Sequence, residues 1–344
     1  MKLGMLQVWW AVWTLGVDSQ VACPAYMCQP ETLNMNRATC TFYQNFTYYL
    51  QVCDFGYYCN LSQDTSNSTC RWPPEPINPP VVNWVGEYCN YMTLCKHGVC
   101  YEGLCRGTAL DEPCNVNADC DTGTYCKAGT CTEQIEEGET GCVYDADCVN
   151  SAGCNQGTCA PYFSIEAGGG VSNCWGNINL LCESAYCHQS LSTFVCLPSL
   201  QSQAQLPIPC TSNQDCLSAS TKLGAITSNC TCGKNAQGSA YCSPFFGDSP
   251  GRDYLKVLKS WTSSDLILTC NTDRRFDHTC MQSHMTVSDL HEFWYYSDLM
   301  TFYPQIYDMD NCTWFVYFVG EQDIRYELVS GAVALGLGLL AALV

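Results

Sequence analysis

Hydrophobic spacing predicts two helices and one strand in the last third of the chain. Residues 253–261 place apolar side chains at the three- and four-residue intervals of a helix that is buried on one face. Residues 286–300 predict a second helix, which opens with a Thr-x-x-Asp capping box. Residues 313–319 form a short apolar run that is typical of a buried strand. Together with many aromatic residues, these elements predict a small α+β domain over residues 197–328.

The amino-terminal residues have the pattern of a secretory signal peptide. One positive charge precedes an apolar run over residues 3–17, and small residues follow the run. This run is shorter than the roughly 20 residues that a membrane-spanning helix needs. We therefore expect residues 1–22 to be a signal peptide that is removed on secretion.

The carboxyl-terminal residues predict attachment to a membrane. Residues 329–344 form an uncharged apolar tail, and the polar residues 321–327 precede it. A short apolar tail behind a polar spacer is typical of a signal for a glycosylphosphatidylinositol (GPI) anchor. The attachment residue is then Gly320, next to the spacer, or Ser330, in a triplet of small residues. A short membrane-spanning helix is the alternative, and both interpretations predict membrane contact through the tail.

Composition places the protein outside the cytosol. Thirty of its 344 residues are cysteines, a fraction typical of a disulfide scaffold. The cytosol keeps thiols reduced, so this content indicates the secretory pathway and an extracellular or cell-surface location. The formal net charge of -19 argues against nucleic acid as a partner, since phosphate binding requires a basic face.

The cysteine spacing divides the middle of the chain into tandem modules. Residues 114–131 and 142–159 share one identical spacing of four cysteines, and residues 89–105 have a slightly shorter version. A pattern that repeats at a fixed offset is typical of tandem modules. The cysteines expected to form disulfides within these modules are Cys89, Cys95, Cys100, Cys105, Cys114, Cys120, Cys126, Cys131, Cys142, Cys148, Cys154 and Cys159.

Cysteine blocks and a proline-rich stretch set the remaining boundaries. A block of six cysteines at residues 23–70 precedes a proline-rich linker at 71–85, which is expected to be extended. The tandem modules occupy residues 86–160, and a further module with four cysteines occupies 161–196. The predicted fold class is a small disulfide-rich multi-module protein, mostly loops and short β-hairpins, with the α+β domain at its carboxyl end.

Cysteine counts predict one long-range disulfide. Residues 210–242 contain five cysteines and residues 270–312 contain three. Both numbers are odd, so complete pairing within the two blocks is impossible. We expect at least one bond to join them and to make residues 210–312 one folded unit.

The tandem modules resemble a known family. CNVNADCDTGTYC and CVYDADCVNSAGC, within residues 86–160, resemble the amino-terminal cysteine-rich module of Dickkopf proteins and the related EB-type modules. The resemblance implies small disulfide-stapled units that present loops for protein contacts. It does not imply Wnt antagonism, because the Dickkopf carboxy-terminal domain that contacts the receptor has no counterpart here. The whole layout is similar to cysteine-rich GPI-anchored surface proteins of ciliates and other protists.

Candidate chemistry is sparse along the chain. The sequence has no C-x2-C pair, no His-Glu-x-x-His and no Gly-x-Ser-x-Gly, so we assign no catalytic residue, no metal ligand and no cofactor. The alternating Asn117, Asp119 and Asp121 resemble a calcium loop but lack the Gly and Glu that an EF-hand needs. Expected N-glycosylation sites are Asn45, Asn60, Asn67, Asn229 and Asn311.

These observations predict a secreted, membrane-anchored extracellular protein with a binding or surface-coat role and no catalysis. Its ligand would be an unidentified protein or glycan, and the modules would space residues 23–70 away from the membrane. An extracellular structural assembly protein is the first alternative. A secreted hydrolase in the aromatic carboxyl-terminal domain is the second.

Overall fold

Disulfide bonds and short strands organise most of the chain, as the sequence predicts. The computed structural model has 15 disulfides, which include all 30 cysteines. It describes residues 22–30, 38–54, 57–59, 61, 67–71, 82–90, 94–174, 176–190, 193–219, 226–314 and 316. The predicted signal peptide (apart from its last residue), Asn60, Gly320, Ser330 and the apolar tail lie outside the described residues. Within those residues, the predicted disulfide-rich multi-module fold is confirmed.

Nineteen strands and four α-helices occur in the described residues. The strands are β1 (Ala25–Cys28), β2 (Thr41–Gln44), β3 (Thr47–Leu50), β4 (Tyr58–Cys59), β5 (Cys70–Arg71), β6 (Val82–Asn83), β7 (Leu94–Cys95), β8 (Val99–Tyr101), β9 (Leu104–Arg106), β10 (Thr124–Lys127), β11 (Thr130–Glu133), β12 (Ala152–Asn155), β13 (Thr158–Pro161), β14 (Gly170–Val171), β15 (Cys187–Ser190), β16 (Thr193–Cys196), β17 (Pro209–Cys210), β18 (Cys230–Cys232) and β19 (Ala240–Cys242). The helices are α1 (Ser249–Thr262), α2 (His278–His284), α3 (Val287–Ile306) and α4 (Asn311–Trp314). The strands pair in small sheets of two or three.

Six units share one crossed disulfide arrangement. In each unit the first of four cysteines bonds to the third, and the second bonds to the fourth. The third and fourth cysteines face each other across an antiparallel pair of strands, so the two bonds fasten that hairpin to the preceding loop. The units span residues 40–70, 89–105, 114–131, 142–159, 174–196 and 210–242.

An aspartate closes the first loop in three of these units. Oδ2 of Asp119 accepts hydrogen bonds from the backbone N–H groups of Asn115 at 2.8 Å and Val116 at 3.0 Å. Asp147 and Asp215 make the equivalent pairs of bonds in their own units. These backbone donors hold the pKa of the Asp119 and Asp215 carboxyls below the usual value. The recurring aspartate therefore has a structural explanation, as a cap on a tight turn.

Three further disulfides contradict the predicted bond between residues 210–242 and 270–312. They are Cys23–Cys232, Cys28–Cys312 and Cys270–Cys280. The unpaired cysteine of each odd block bonds to the amino-terminal segment, at Cys28 in β1 and at Cys23 just before it. Strand β1 lies parallel to β3. Counting cysteines detects that a block needs an outside partner, but it does not identify the partner.

The amino-terminal block is consequently not self-contained, and it packs against the carboxyl-terminal helices. Only four of its six cysteines pair within residues 23–70, and the other two hold β1 against the carboxyl-terminal third. Leu50 shares a buried cluster with Val316, against which Phe302 and Ile306 of α3 pack. The modules therefore do not separate this block from the carboxyl-terminal helices, and its distance from the membrane stays a prediction.

The predicted linker is shorter than residues 71–85. Strand β6 pairs in parallel with β7, and Val85 is buried beside it. Residues 72–81, which contain all five prolines of this stretch, lie outside the described residues. The chain is therefore already paired with the first tandem module at residue 82.

Both predicted helices are present. Helix α1 buries Leu255, Leu258 and Trp261, and Pro250 stands in its first turn, where no backbone donor is needed. Helix α3 begins after the predicted cap Thr286, whose hydroxyl accepts from the backbone N–H of Asp289. It continues six residues further than predicted, to Ile306. These helices pack against each other around a cluster that includes Ile267 and Phe293.

The strand predicted at residues 313–319 is wrong over its described part. Asn311–Trp314 is the short helix α4, and Val316 also has a helical conformation. Thr313 and Val316 are buried, so these two residues of the run lie in the core. Continuous hydrophobicity predicts burial, but a run of this length does not distinguish a strand from a helical turn.

The first module docks on helix α2 through buried polar contacts. Glu87 accepts a hydrogen bond from the Thr279 hydroxyl at 2.5 Å, and burial raises the pKa of its carboxyl. The ring of His284 lies 2.8 Å from the Gly86 carbonyl oxygen. A side chain at Gly86 would lie 2.2 Å from the Thr269 carbonyl oxygen, so this close approach requires glycine.

The next two modules dock on the segment before α2. Asn150 is fully buried and donates to the carbonyls of Ile267 and Cys270, at 2.9 and 2.7 Å. Asn271 donates to Cys120 at 3.2 Å from the opposite side. These modules are therefore packed against the helical part and are not independent of it.

Arg275 is the centre of this contact. Its guanidinium, which is 3% exposed, donates to five backbone carbonyls, four of them in residues 142–159. The shortest of these bonds is 2.7 Å, to Ala152. Burying a charge costs several kcal/mol unless its donors are satisfied, and here the module supplies the acceptors.

Among the described residues, no helix is both long and apolar enough to cross a membrane.

Candidate functional site

Helix α1 presents a basic face on an acidic protein. Arg252, Lys256 and Lys259 lie four and three residues apart, so they share one side of the helix. They are three of only 14 basic residues in a chain with a net charge of -19. An amphipathic helix needs a polar outer face, but it does not need one sign of charge there. Like charges at these intervals destabilise a helix by a few tenths of a kcal/mol, so helix stability does not explain the arrangement.

These three cations line an open cleft of about 530 Å³, which we call the cationic cleft. This volume lies within the range of small-molecule sites. The facing wall comes from the loop at residues 183–184, from residues 197–199 and from Phe246. Glu183 is exposed on that wall and is the only carboxylate among the lining residues. The remaining lining residues are Ala167, Ser184, Leu197, Pro198, Ser199 and Leu255.

The charges of the cleft are not neutralised by nearby carboxylates. Among the described residues, none of the three cations forms an ion pair within 4.0 Å. Arg252 donates to the Gly247 carbonyl at 2.6 Å, and the Lys259 ammonium lies 5.3 Å from the Phe163 ring centroid. These contacts orient two of the side chains and leave their charge available. The cleft can therefore attract an anionic group.

A second open cleft adjoins the first at Arg252. Its volume is about 600 Å³, and we call it the amide cleft because Gln201, Gln203 and Gln205 line it. Their side chains are exposed, and no hydrogen bond joins them to other described side chains. The other wall consists of the first turn of α1 with Leu299 and Tyr303 of α3.

Asp248 positions the two clefts relative to each other. It is 5% exposed and accepts from the backbone N–H of Ser202 at 2.9 Å and from the Ser202 hydroxyl at 2.7 Å. It also accepts from the backbone N–H of Phe245 at 2.8 Å. The same residue precedes α1 as its N-cap. One carboxylate thus fixes the glutamine-bearing loop beside the basic helix.

A third cleft has carboxylates that already bind other residues of the protein. It has a volume of about 520 Å³ and contains Asp145, Asp273 and Asp277. Burial raises the pKa of the Asp145 carboxyl, whose Oδ1 accepts from the backbone N–H of Cys154 at 2.8 Å. Asp273 accepts from the Asn117 amide at 3.3 Å, and Asp277 pairs with Arg274. These contacts serve the docking of the modules, so we place the candidate site at the cationic cleft.

The predicted glycosylation residues are accessible where the structure describes them. Asn45, Asn67, Asn229 and Asn311 are all exposed. Asn45 lies in the turn between β2 and β3, at a φ of 50°, which asparagine tolerates better than most residues. Glycosylation at these sites stays a prediction.

The side-chain oxygens considered as calcium ligands in residues 117–121 accept backbone hydrogen bonds. Oδ1 of Asn117 accepts from the backbone N–H of Cys126 at 3.0 Å, and Asp119 caps the loop as described above. Oδ1 of Asp121 accepts from the backbone N–H of Thr122 at 3.0 Å. The alternation of these residues therefore reflects turn geometry within the module.

Sequence reasoning missed the cationic cleft. The prediction of α1 used only its apolar positions, and the basic residues between them were not considered. Three cations at intervals of four and three, in a chain with so few, were a detectable signal. The facing wall had no signal, because residues 183–184 and 197–199 meet α1 only in the folded chain.

Comparisons of the chain with protein-family models, with curated proteins and with solved structures found no match. The resemblance of residues 86–160 to Dickkopf and EB-type modules therefore stays a prediction. The disulfides give the firmest statement about class. Fifteen bonds that include every cysteine indicate an extracellular or secreted protein.

Proposed function

We propose that this protein is a non-catalytic extracellular binding protein that recognises an anionic ligand in the cationic cleft. The observation that carries the proposal is the grouping of Arg252, Lys256 and Lys259 around one open cleft, without carboxylate partners among the described residues. The lining offers positive charge and apolar surface, which are binding features. The protein as a whole is acidic, so a local group of cations is needed to attract an anion.

Reversal of one charge in the cleft tests this proposal. The Lys256→Glu variant of the full-length protein should bind tripolyphosphate about tenfold more weakly, because an attraction becomes a repulsion. Titration calorimetry at two salt concentrations measures the affinity, which should also fall as salt rises. Glu183→Gln should bind more tightly, since it removes the one carboxylate of the lining.

Lys127→Glu is the matched control for this experiment. Lys127 is also exposed, and it lies on β10, away from the cleft lining. Its replacement by Glu changes the net charge by the same amount as Lys256→Glu. Its affinity for tripolyphosphate should equal that of the unchanged protein. Equal weakening in Lys127→Glu and Lys256→Glu would show that net charge, and not the cleft, governs binding.

We further propose that a GPI anchor holds the protein at a cell surface, attached at Gly320 or Ser330 when the apolar carboxyl-terminal tail is removed. The support is the sequence pattern of a polar spacer followed by a short apolar tail. Treatment of producing cells with a phosphatidylinositol-specific phospholipase should release the protein into the medium. Retention after treatment, with a known GPI-anchored protein released in parallel, would contradict the anchor and favour a spanning tail.

A further inference from the structure

The two clefts beside α1 are chemically different and adjacent. Both are lined by Arg252, so they meet at this side chain. The cationic cleft has three positive charges, about 6 and 4.5 Å apart along the helix axis. The amide cleft adds no further cation to its lining.

The amide cleft disfavours negative charge. Its lining includes the carboxylates of Asp248 and Asp253, which would repel an anion placed there. Its glutamine amides offer both donors and acceptors, and they are exposed. Groups that both donate and accept, such as hydroxyls, match this lining. The Tyr303 ring supplies an apolar contact on the same cleft.

These features select among anionic ligands. A uniform polyanion would place charge against Asp253, and a small inorganic anion would leave the amide cleft empty. We infer that the clefts together bind an oligosaccharide that is acidic at one end and neutral at the other. Its acidic sugars lie against Lys256 and Lys259, and its neutral hydroxyls contact Gln203 and Gln205. This inference rests on the proposed function and names the ligand class for the same site.

The test compares defined probes on the full-length protein by titration calorimetry. One tetrasaccharide carries sulfates on two adjacent sugars at one end, the second carries them on all four sugars, and the third carries none. Tripolyphosphate is the probe without sugar. The half-sulfated tetrasaccharide should bind most tightly, the fully sulfated one more weakly despite its greater charge, and the neutral one least.

Variants of the amide cleft separate the inference from the proposed function. The double variant Gln203→Ala/Gln205→Ala should bind the half-sulfated tetrasaccharide about tenfold more weakly, since two hydrogen-bonding amides are lost. Its affinity for tripolyphosphate should not change. Lys256→Glu should lower the affinity for both probes, and Lys127→Glu should lower the affinity for neither. Circular dichroism and thermal unfolding show that each variant is folded.

Two outcomes would overturn the inference in distinguishable ways. If the glutamine variant binds the half-sulfated tetrasaccharide like the unchanged protein, or if the fully sulfated probe binds more tightly, the ligand is a plain polyanion. The oligosaccharide inference then fails, and the cationic cleft remains an anion site. If no anionic probe binds in a Lys256-dependent manner, the proposed function fails as well.

Discussion

Replacing Arg275 with Met is expected to lower the free energy of unfolding by about 3 to 5 kcal/mol, because several buried carbonyls lose their donor at once. The guanidinium donates to Asp145 at 2.9 Å and Ala152 at 2.7 Å in the module at residues 142–159. It also donates to Thr272 at 3.0 Å on its own segment. Methionine fills a similar volume but offers no donor, so the module loses its attachment while its own disulfides remain.

The adjacent arginine is a matched control for this substitution. Arg274 lies 3.6 Å from the Trp84 ring centroid and pairs with Asp277, but its side chain is 29% exposed. Arg274→Met should therefore cost about 1 kcal/mol or less. Urea unfolding under non-reducing conditions measures both variants. Hydrogen exchange should accelerate around residues 145–152 in Arg275→Met only, and equal losses in both variants would contradict the account.

Removing the Cys28–Cys312 bond is expected to cost about 2 to 5 kcal/mol, because it closes one of the longest loops in the chain. The double variant Cys28→Ser/Cys312→Ser leaves the other 14 bonds in place and avoids a free thiol. Strand β1 would then be held by Cys23–Cys232 and its pairing with β3. The cluster of Leu50 and Val316 would lose the covalent link that keeps its two sides together.

The expected damage in this variant is local. Hydrogen exchange should accelerate in β3 and in the last turns of α3, while residues 114–159 stay as protected as in the unchanged protein. Cys89→Ser/Cys100→Ser is the control, since it removes a loop of sequence separation 11 within one module. It should loosen that module only. A uniform rise in exchange in the first variant would show that this bond stabilises the whole fold instead.

Local patterns were the part of the fold that sequence could predict. Helices α1 and α3 follow from apolar spacing and from the Thr286 cap, both of which act within a few residues. The tandem cysteines follow from repeated spacing. The same arrangement in residues 40–70, 174–196 and 210–242 does not follow from spacing alone, because their loops differ in length. The opposed cysteines on a hairpin are what the six units share, and spacing does not report that.

Long-range contacts could not be predicted from the sequence, because no local pattern specifies a partner that is distant in the chain. The partners of Cys23 and Cys28 lie 209 and 284 residues away, and nothing near either cysteine specifies them. Arg275 looked like an ordinary charged residue, since its burial depends on a module more than a hundred residues earlier. The candidate site has the same origin, because one wall of each cleft is remote in sequence from α1.

The Cys28–Cys312 bond also decides what a protease can release. A single cut anywhere between these two cysteines leaves both pieces joined through the sulfur bridge. Clipping of an exposed loop would therefore nick the protein without shedding a fragment. If a GPI anchor holds the chain as proposed, a molecule with one such cut stays on its cell with every module attached. Release after that single cut would require a reductant, or removal of the anchor itself.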